Sequence, residues 1–534
     1  MKKTTFPDSL MKALQAYSLE IIQAINEDRV KDKNSLNKLK NTLCKKYSIA
    51  QAPTNAVILQ FAKKPFEQKL LNVLEMKPVK SISGITAVAL MPLPKECPGA
   101  CVYCPNSLVG KKTPKSYTGG EPATLRALQA GFDVKKQIQG RIQQLEEMGH
   151  SAEKIELIVM GGTFPSTSFP FQKKFMLECF EAVNGRKTKY LEKAKKLAEK
   201  ARHRLVGITF ETRPDYCGRK EINRMLDFGA TRVELGVQTV FDDIYKKINR
   251  GHKVKDVIGS TQLLKDSALK VCYHLMPGLP YSSFKKDLQA FRKVFENQEF
   301  KPDMLKIYPC LVIKGTKLYN LWMKGSFEPL STEKAAELIA KVKESIPPWI
   351  RVMRIQRDIP RQLVEAGVQH SNLRQLVHEK LAKKEKKCSC IRCREIGLKE
   401  YLQKEKPDFE SLAIKRMDYK ASNGKEVFLQ MQDSAENLYG FLRLRFPFQP
   451  FRKELQGSAL VRELHVFGEA LALKQRKEGM IQHFGIGKQL LKEAEEIAKA
   501  QGFRKISVIS GIGVKEYYRK QGYSDSKAFV TKEI

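Results

Sequence analysis

The sequence of 534 residues has no run of about 18 apolar residues, so we expect no membrane-spanning helix. Its first twenty residues are basic and lack the apolar stretch and small-residue cleavage site of a secretory signal. These absences predict a cytoplasmic protein. Hydrophobic residues make up 42% of the chain, enough for a buried core, and the length predicts two to four domains.

Acidic residues are scarce: 58 Asp and Glu face 96 Lys and Arg, a net charge of +38. Residues 1–80 hold 15 basic residues against 7 acidic ones, and further basic runs cover 186–204 and 380–387. A polyanion relieves such self-repulsion and gains by counterion release, which favours nucleic acid as a partner. The alternative is solvated lysine on every surface.

The eleven cysteines are odd in number, which argues against a disulfide framework. Six of them fall in two clusters, at 97–104 and 388–393. The others are predicted to be small buried apolar residues: Cys44, Cys179, Cys217, Cys272 and Cys310.

Hydrophobic periodicity divides the chain into three parts. Helices at 8–26 and 32–47 predict a small helical N-terminal region. Strands then alternate with helices, which predicts an α/β fold with a parallel sheet curled into a full or partial barrel; the strands are 85–92, 155–162, 205–211, 232–238, 270–278 and 304–313. The last part reads as a hairpin (426–433 and 439–446), a strand at 458–468, a glycine-led helix, a last strand from 505 and a short helix at 514–520.

The first cysteine cluster, Cys97, Cys101 and Cys104, follows the first strand of the α/β part. Three thiolates can hold three irons of a [4Fe–4S] cluster and leave the fourth iron open. An open iron can bind the amino and carboxylate groups of S-adenosylmethionine (SAM) and pass it one electron, which is typical of radical SAM enzymes. The alternatives are a structural zinc site that lacks one ligand, or buried cysteines.

Further candidate SAM contacts end the next three strands. Gly161, Gly162 and Thr163 follow the second strand, where bare backbone can approach a ligand. Glu211 ends the third strand and Gln238 the fourth. Polar groups at these strand ends face ligand in barrels of this class.

The second cluster, Cys388, Cys390 and Cys393, predicts a tetrahedral zinc site with a fourth ligand from elsewhere. His370, His378, a water or a distant cysteine could supply that ligand. A second iron–sulfur cluster or free thiols are the alternatives.

Gln482, Gly485, Gly487 and the intervening residues form a Q-x-x-G-x-G turn that leads into a helix. Backbone N–H groups at such a helix start bind pyrophosphate. The turn lies between two strands and precedes a helix that carries Tyr517 and Tyr518, the order found in acetyl-CoA-dependent GNAT acetyltransferases. Either tyrosine could act on the thioester or protonate the CoA thiolate.

The chain resembles the catalytic subunit of Elongator and its stand-alone archaeal and bacterial relatives over roughly residues 80–534. The strings that carry the resemblance include CPGACVYCP, VMGGTF, GITFETRPDYC, NRGHKV, CSCIRCREIG, VRELHVFG, QHFGIG and ISGIGVKEYYRKQGY. It implies a tRNA uridine 5-carboxymethyltransferase that acts on the wobble uridine (position 34) of an anticodon stem-loop. In the implied reaction, a 5′-deoxyadenosyl radical from SAM takes hydrogen from the methyl of acetyl-CoA, the acetyl radical adds to uridine C5, and the thioester is hydrolysed.

The resemblance also implies roles for single residues and segments. Arg250 would join the SAM contacts, Lys154 would meet acetyl-CoA across the domain interface, and further acetyl-CoA contacts would be Glu463, Leu464, His465, Val466, Ile486, Gly487, Lys488 and Tyr518. The implied domains are a tRNA-binding region (1–80), a radical SAM domain (81–378), a zinc-binding linker (379–400) and a GNAT domain (401–534).

Two departures from the eukaryotic members point to the archaeal or bacterial branch, which is expected to act without the other Elongator subunits. Only three residues separate Cys97 from Cys101, and the second cysteine cluster is present. The enzyme also needs an electron donor, and self-association stays open. Two alternatives remain: a protein lysine acetyltransferase of histone type, with Glu463 as a candidate base, and a tRNA-binding scaffold.

Overall fold

A computed structural model of the chain describes residues 8–63, 66–75, 82, 84–106, 108, 112–467 and 485–534. The N-terminal region consists of four helices, α1 (Asp8–Asn26), α2 (Lys33–Lys46), α3 (Asn55–Gln60) and α4 (Gln68–Leu74). The Asp32 carboxylate starts α2 by accepting the Ser35 N–H at 2.8 Å. Tyr17, Ile21, Leu36 and Leu59 belong to a core that these helices share among themselves.

The second part is a seven-stranded sheet in the order β1 to β7, in which every neighbouring pair is parallel. Its strands are β1 (Thr86–Leu90), β2 (Lys154–Val159), β3 (Arg204–Thr212), β4 (Arg232–Gln238), β5 (Lys270–Leu275), β6 (Met304–Ile307) and β7 (Arg351–Ile355). Runs such as Val-Glu-Leu-Gly-Val form strands here because both faces of a parallel sheet are covered. Among the described strands β1 and β7 are the edges, so the barrel is partial.

Helices connect these strands and cover the outside of the sheet. They are α5 (Pro122–Gln129), α6 (Val134–Glu147), α7 (Phe169–Asn184), α8 (Leu191–Glu199), α9 (Arg219–Asp227), α10 (Asp242–Lys247), α11 (Val254–Lys265), α12 (Phe284–Glu296), α13 (Lys317–Met323) and α14 (Thr332–Glu344). Three more follow β7: α15 (Leu373–Lys383), α16 (Ile391–Arg394) and α17 (Ile396–Gln403).

The third part is a mixed seven-stranded sheet in the order β13-β14-β12-β11-β10-β9-β8. Its strands are β8 (Ala413–Ala421), β9 (Gly424–Gln432), β10 (Leu438–Phe446), β11 (Ser458–Val466), β12 (Lys505–Ile509), β13 (Ser524–Ser526) and β14 (Phe529–Glu533). The helices α18 (Ile486–Ala500) and α19 (Lys515–Arg519) complete it. The predicted fold class, a partial barrel followed by an α+β domain, is thereby confirmed.

The two sheets meet at the N-terminal ends of the barrel strands. Arg462 of β11 binds Asp303, just before β6, through two hydrogen bonds of 2.6 and 2.7 Å. Arg445 of β10 binds Asp266 at 2.6 Å and Glu426 at 2.9 Å. All five side chains are at most 1% exposed. The turn at Gly511 rests directly on the backbone of β3.

Several predicted elements were incomplete or too long. The strand at 351–355 was not counted among the six, 304–313 is a strand only over its first four residues, and 122–148 is two helices. The strand predicted to be the last, β12, is followed by β13 and β14, and β8 precedes the predicted hairpin. No helix of the described residues is long and apolar enough to cross a membrane.

Candidate active sites

The loop after β1 carries Cys97, Cys101 and Cys104 at the C-terminal end of the barrel strands. The backbone fixes this loop: Val102 donates to the Ile248 carbonyl at 3.0 Å and accepts from Leu318 at 2.9 Å. All three cysteines line a cavity of about 590 Å³, a volume within the ordinary range for ligand sites.

The spacing of the thiols distinguishes the two cysteine clusters. The sulfurs of Cys388, Cys390 and Cys393 all lie within 4.8 Å of one another, whereas those of the first cluster do not meet this limit together. Zinc–sulfur bonds of about 2.3 Å in a tetrahedron require sulfurs about 3.8 Å apart. Among the described residues, the first cluster does not form such a close group. The second fits a single ion.

Two arginines flank the first cysteine loop. Arg250 is buried and places Nη1 at 3.3 Å from the Cys101 sulfur, while its Nε donates to His252 at 3.0 Å. Arg213 binds Asp215 through two hydrogen bonds of 2.9 and 2.7 Å. A Cβ on Gly99 would lie 2.2 Å from Arg213 Nη1, so a larger residue there would require this guanidinium to move.

Buried polar atoms at this end of the barrel have no hydrogen-bond partner among the described residues: Arg213 Nη1, Gln238 Oε1 and His252 Nδ1. Gln238 also holds a positive φ of 72°, a strained conformation for this residue that occurs preferentially at functional sites. Buried polar groups are ordinarily paired, so these atoms fit a site that takes a polar ligand.

Gly161 and Gly162 turn the chain away from β2 with φ of 116° and 82°. A side chain at either position would be strained. Thr163 follows, with its hydroxyl at 3.8 Å from the Cys97 sulfur. Gly162, Thr163, Glu211, Gln238 and Arg250 line the same cavity as the cysteines. The structure therefore brings these predicted residues together; Gly161 lies beside them against Pro114.

A layer of charged side chains lies inside the barrel below the strand ends. Lys306 binds both Glu234 and Glu211, the latter at 3.2 Å. His274 Nε2 lies 2.6 Å from the Glu234 carboxylate, which also pairs with Arg232. Burial opposes the charge of Glu234, yet Lys306 and its other cationic neighbours hold the pKa of this carboxyl well below its usual value.

A second candidate site lies where β11 and β12 separate. Ser458–Val461 of β11 pairs in parallel with Lys505–Val508 of β12. Beyond Val461, β11 continues to Val466 without a partner strand on the β12 side. Gly487, in the first turn of α18, faces this gap: its Cβ would lie 2.8 Å from the Tyr517 hydroxyl and 3.6 Å from Val466. A gap between strands next to a helix start can admit an extended ligand whose phosphates meet free N–H groups.

The other predicted residues of this site lie in different surroundings. Glu463 turns toward the barrel, where its carboxylate accepts from Arg443 at 2.9 Å. His465 stacks on Phe441, and burial lowers its pKa to about 4. Leu464 is half-buried; Gly485, with φ of 66°, caps α18 ahead of Ile486 and Lys488. Tyr518 is buried between Tyr517 and Tyr523. Gln482 and the boundary at 80/81 lie outside the described residues.

Lys154 begins β2 and pairs in register with Arg204 of β3. The Arg204 Cβ would lie 2.8 Å from a Cβ on Gly513, in the turn that leads to Tyr517. Burial lowers the pKa of the Lys154 ammonium. The structure therefore places Lys154 one strand away from the domain that contains the mixed sheet and outside the cavity that holds the cysteines.

The second cysteine cluster lies at the start of α16, beneath α14. Lys343 of α14 is buried and places its ammonium at 3.3 Å from the Cys393 sulfur. Neither His370 nor His378 belongs to the close group of donor atoms, among the residues that the structure describes. Lys343, Arg213 and the pair Glu234–His274 were not predicted. Arg213 left a signal in the string GITFETRPDYC, and Glu234 and His274 lie in the strings RVELGVQT and HLMPGLP, which also match the family.

Comparisons with known proteins agree with this arrangement. The profile of the Radical SAM superfamily matches residues 91–291, that of the Radical_SAM C-terminal domain 302–383, and that of the ELP3 N-terminal domain 14–82. A protein of Methanocaldococcus infernus named tRNA uridine(34) acetyltransferase is 48% identical over 98% of this chain and 99% of its own. Elongator complex protein 3 of Dictyostelium discoideum is 41% identical over 96% and 94%.

A solved structure is similar as well. The archaeal Methanocaldococcus infernus Elp3 with an N-terminal deletion (1–46) superposes with a TM-score of 0.76 at 48% identity. The superposition covers 85% of this chain and all of that one.

Proposed function

Because this chain belongs to the family of the tRNA uridine(34) acetyltransferases and Elongator complex protein 3, we propose that it modifies the wobble uridine of tRNA. The proposed product is 5-carboxymethyluridine, with SAM and acetyl-CoA as co-substrates. The observation that carries the proposal is the cavity at the C-terminal strand ends, where three cysteines meet buried polar atoms that lack partners.

Cys97, Cys101 and Cys104 would hold a [4Fe–4S] cluster, and Gly161, Gly162, Thr163, Glu211, Gln238 and Arg250 would surround SAM. When bound, these two groups supply the electron and the 5′-deoxyadenosyl radical that can break an unactivated methyl C–H bond. Arg250 orients the loop through its contact with Cys101, and the unpartnered amide oxygen of Gln238 can accept from a SAM hydroxyl or amine.

Acetyl-CoA would lie between β11 and β12. The backbone of Glu463, Leu464, His465 and Val466 pairs with β10 on one side and is open on the β12 side, where it can bind the pantetheine arm. The N–H groups of Gly485, Ile486 and Gly487, with the exposed Lys488 side chain beside them, can bind its phosphates. Lys154 and Tyr517 would meet the acetyl end. The Glu463 carboxylate is already held by Arg443, so it is poorly placed as a general base.

The other proposed partners follow from charge and family. Lys33, Lys38 and Lys45 are exposed or half-buried on α2 and can neutralise the phosphates of an anticodon stem-loop, whose unstacked bases are accessible to a catalytic site. We propose that the tRNA-binding region covers 1–80, the radical SAM domain 81–378, the zinc-binding linker 379–400 and the GNAT domain 401–534. The enzyme needs an electron donor for its cluster, and we propose that it works without other Elongator subunits, alone or self-associated.

The test is an anaerobic assay with reconstituted protein, dithionite, SAM, acetyl-CoA and unmodified tRNA. Digestion and mass spectrometry are expected to show 5-carboxymethyluridine, which depends on every co-substrate and is lost in Cys101→Ala. Cleavage of SAM without tRNA product would contradict the substrate assignment. Acetylation of protein lysines without SAM cleavage would favour the acetyltransferase alternative.

Tyr517 is expected to be the tyrosine that acts at the thioester, because its hydroxyl lies beside Gly487 whereas Tyr518 is packed between two rings. Tyr517→Phe should slow tRNA-dependent release of CoA on the order of 10²-fold, the usual effect of removing a general acid. Thiol release can be followed with a chromogenic disulfide. Tyr190→Phe, at an exposed residue of the barrel domain, is the control. A larger loss in Tyr518→Phe would reverse the assignment.

We propose zinc for Cys388, Cys390 and Cys393, whose sulfurs are close enough for a single ion. The metal would fix the short segment 388–393 at the start of α16. Cys390→Ser is expected to lower the zinc content from one ion per chain to nearly none, as measured by elemental analysis. Cys44→Ser, in the N-terminal region, should retain it. Iron in place of zinc at this site would support a second iron–sulfur cluster.

A further inference from the structure

The proposed reaction requires an acceptor for the C5 proton of the uridine adduct, and none of the predicted residues was assigned this role. A carbon radical that adds to uridine C5 forms a C5–C bond and leaves the original hydrogen on the same carbon. Restoring the uracil ring requires loss of that hydrogen as a proton, which leaves the C5–H bonding pair in the ring. One electron must also leave, and an oxidised iron–sulfur centre is the class of acceptor that the cysteine loop would hold.

A proton acceptor is present in the cavity. His274 lines it together with Cys101 and Gln238, and its side chain is 13% exposed. Its Nε2 lies 2.6 Å from the Glu234 carboxylate, which can only accept, so Nε2 carries the proton and Nδ1 has a free lone pair. Nδ1 has no hydrogen-bond partner among the described residues.

The surroundings hold this imidazole in place. The Tyr308 ring packs edge-on against it with 5.4 Å between ring centres. Arg232 and Lys306 anchor the Glu234 carboxylate from two sides. Lys306 also reaches Glu211, a proposed SAM contact, at 3.2 Å, and Glu211 pairs in register with Glu234, so the pair lies at the level of this SAM contact.

A metal ion is a poor alternative occupant. Donor atoms of Glu234, Cys272 and His274 do lie within 4.8 Å of one another. Lys306 and Arg232 already balance the charge of Glu234 and would repel a cation. Burial raises the pKa of the Cys272 thiol well above its usual value, which disfavours the thiolate that a metal would need.

We propose that the Glu234–His274 pair is the general base of the reaction and that Nδ1 of His274 takes the C5 proton of the uridine adduct. This inference rests on the proposed function. The Glu234 carboxylate stabilises the imidazolium that forms, as carboxylates do for catalytic histidines.

The test uses the reconstituted full-length enzyme with tRNA that carries deuterium at uridine C5. His274→Gln keeps a side chain that can donate to Glu234 but cannot take a proton. It is expected to form 5′-deoxyadenosine near the wild-type rate, while 5-carboxymethyluridine and deuterium release fall by about 10²- to 10⁴-fold. Freeze-quench EPR should show a uracil-centred radical that is absent from the wild type. Glu234→Gln should show a smaller loss of the same kind.

His203→Gln is the matched control, since His203 lies outside the cavity, before β3, and bonds the Ala152 carbonyl at 2.9 Å. Full product formation by His274→Gln would overturn the assignment. Loss of 5′-deoxyadenosine together with product would also overturn it, because His274 would then serve SAM binding. A wild-type enzyme that cleaves SAM but never modifies tRNA would refute the proposed function itself.

Discussion

Replacement of Asp303 by alanine is expected to lower the free energy of unfolding by roughly 3–5 kcal/mol, the usual cost of removing one partner from a buried ion pair. Asp303 is fully buried between the two large domains, where both oxygens bind Arg462 and Lys265 lies at 3.5 Å. Without this carboxylate, three buried cations, Arg462, Lys265 and Arg443, keep only Glu426 and Glu463 as carboxylate partners.

Urea unfolding followed by tryptophan fluorescence would measure the loss, and the variant is expected to be largely insoluble at 37 °C. Asp418→Asn is the control, because Asp418 forms a surface pair with Arg416 at 2.7 Å. Such pairs contribute about 0–1 kcal/mol. Equal midpoints for the two variants would show that the buried network contributes little.

Gly511→Ala replaces one hydrogen by a methyl group. Among the glycine-to-alanine changes in the C-terminal domain, it is expected to be the most damaging. The Gly511 backbone has an ordinary φ of −58°, so conformational strain is not the cause. A Cβ there would lie 2.1 Å from the Val206 carbonyl oxygen and 2.5 Å from its carbon, both in the backbone of β3. Neither atom can rotate away, so the domains must separate, at a cost above the 1–3 kcal/mol of ordinary overpacking.

Differential scanning calorimetry is the measurement, with the appearance of a second unfolding transition as the expected sign of uncoupled domains. Gly140→Ala is the matched control, because Gly140 is exposed within α6 and a Cβ added there would meet open space. Alanine there is expected to stabilise by up to about 1 kcal/mol. A single transition at the wild-type temperature in Gly511→Ala would mean that the turn can move freely.

The sequence predicted the long periodic elements well and the short edge strands poorly. Helix 284–296 was placed without error because its apolar residues recur every three or four positions over three turns. Strand β7 has the pattern Arg-Val-Met-Arg-Ile, and its closely spaced arginines are compatible with either a strand or a turn-rich stretch. It is an edge strand whose Arg351 pairs with Glu395 at 2.7 Å, a contact with a residue 44 positions away that no local pattern contains.

The residues of the candidate sites also divide into those that a local sequence pattern reveals and those that only the fold brings together. Cysteine spacing and glycine turns are local, so both cysteine clusters and the residues at the strand ends could be named in advance. The pair Glu234–His274 depends on two different strands that lie side by side, and neither residue stands out alone. Glu463 was named as a cofactor contact because of its string, but its side chain points to Arg443 at the domain interface.

The lower end of the barrel is closed by the other domain rather than by its own loops, since Gly511 and Gly513 rest on residues 204–206. Residues 204–206 and 511–513 are about 300 positions apart in the sequence, yet they are in direct contact. They are therefore expected to vary together among relatives. A chimaera that joins the barrel of one relative to the acetyltransferase-like domain of another should therefore fold only when both segments come from the same parent.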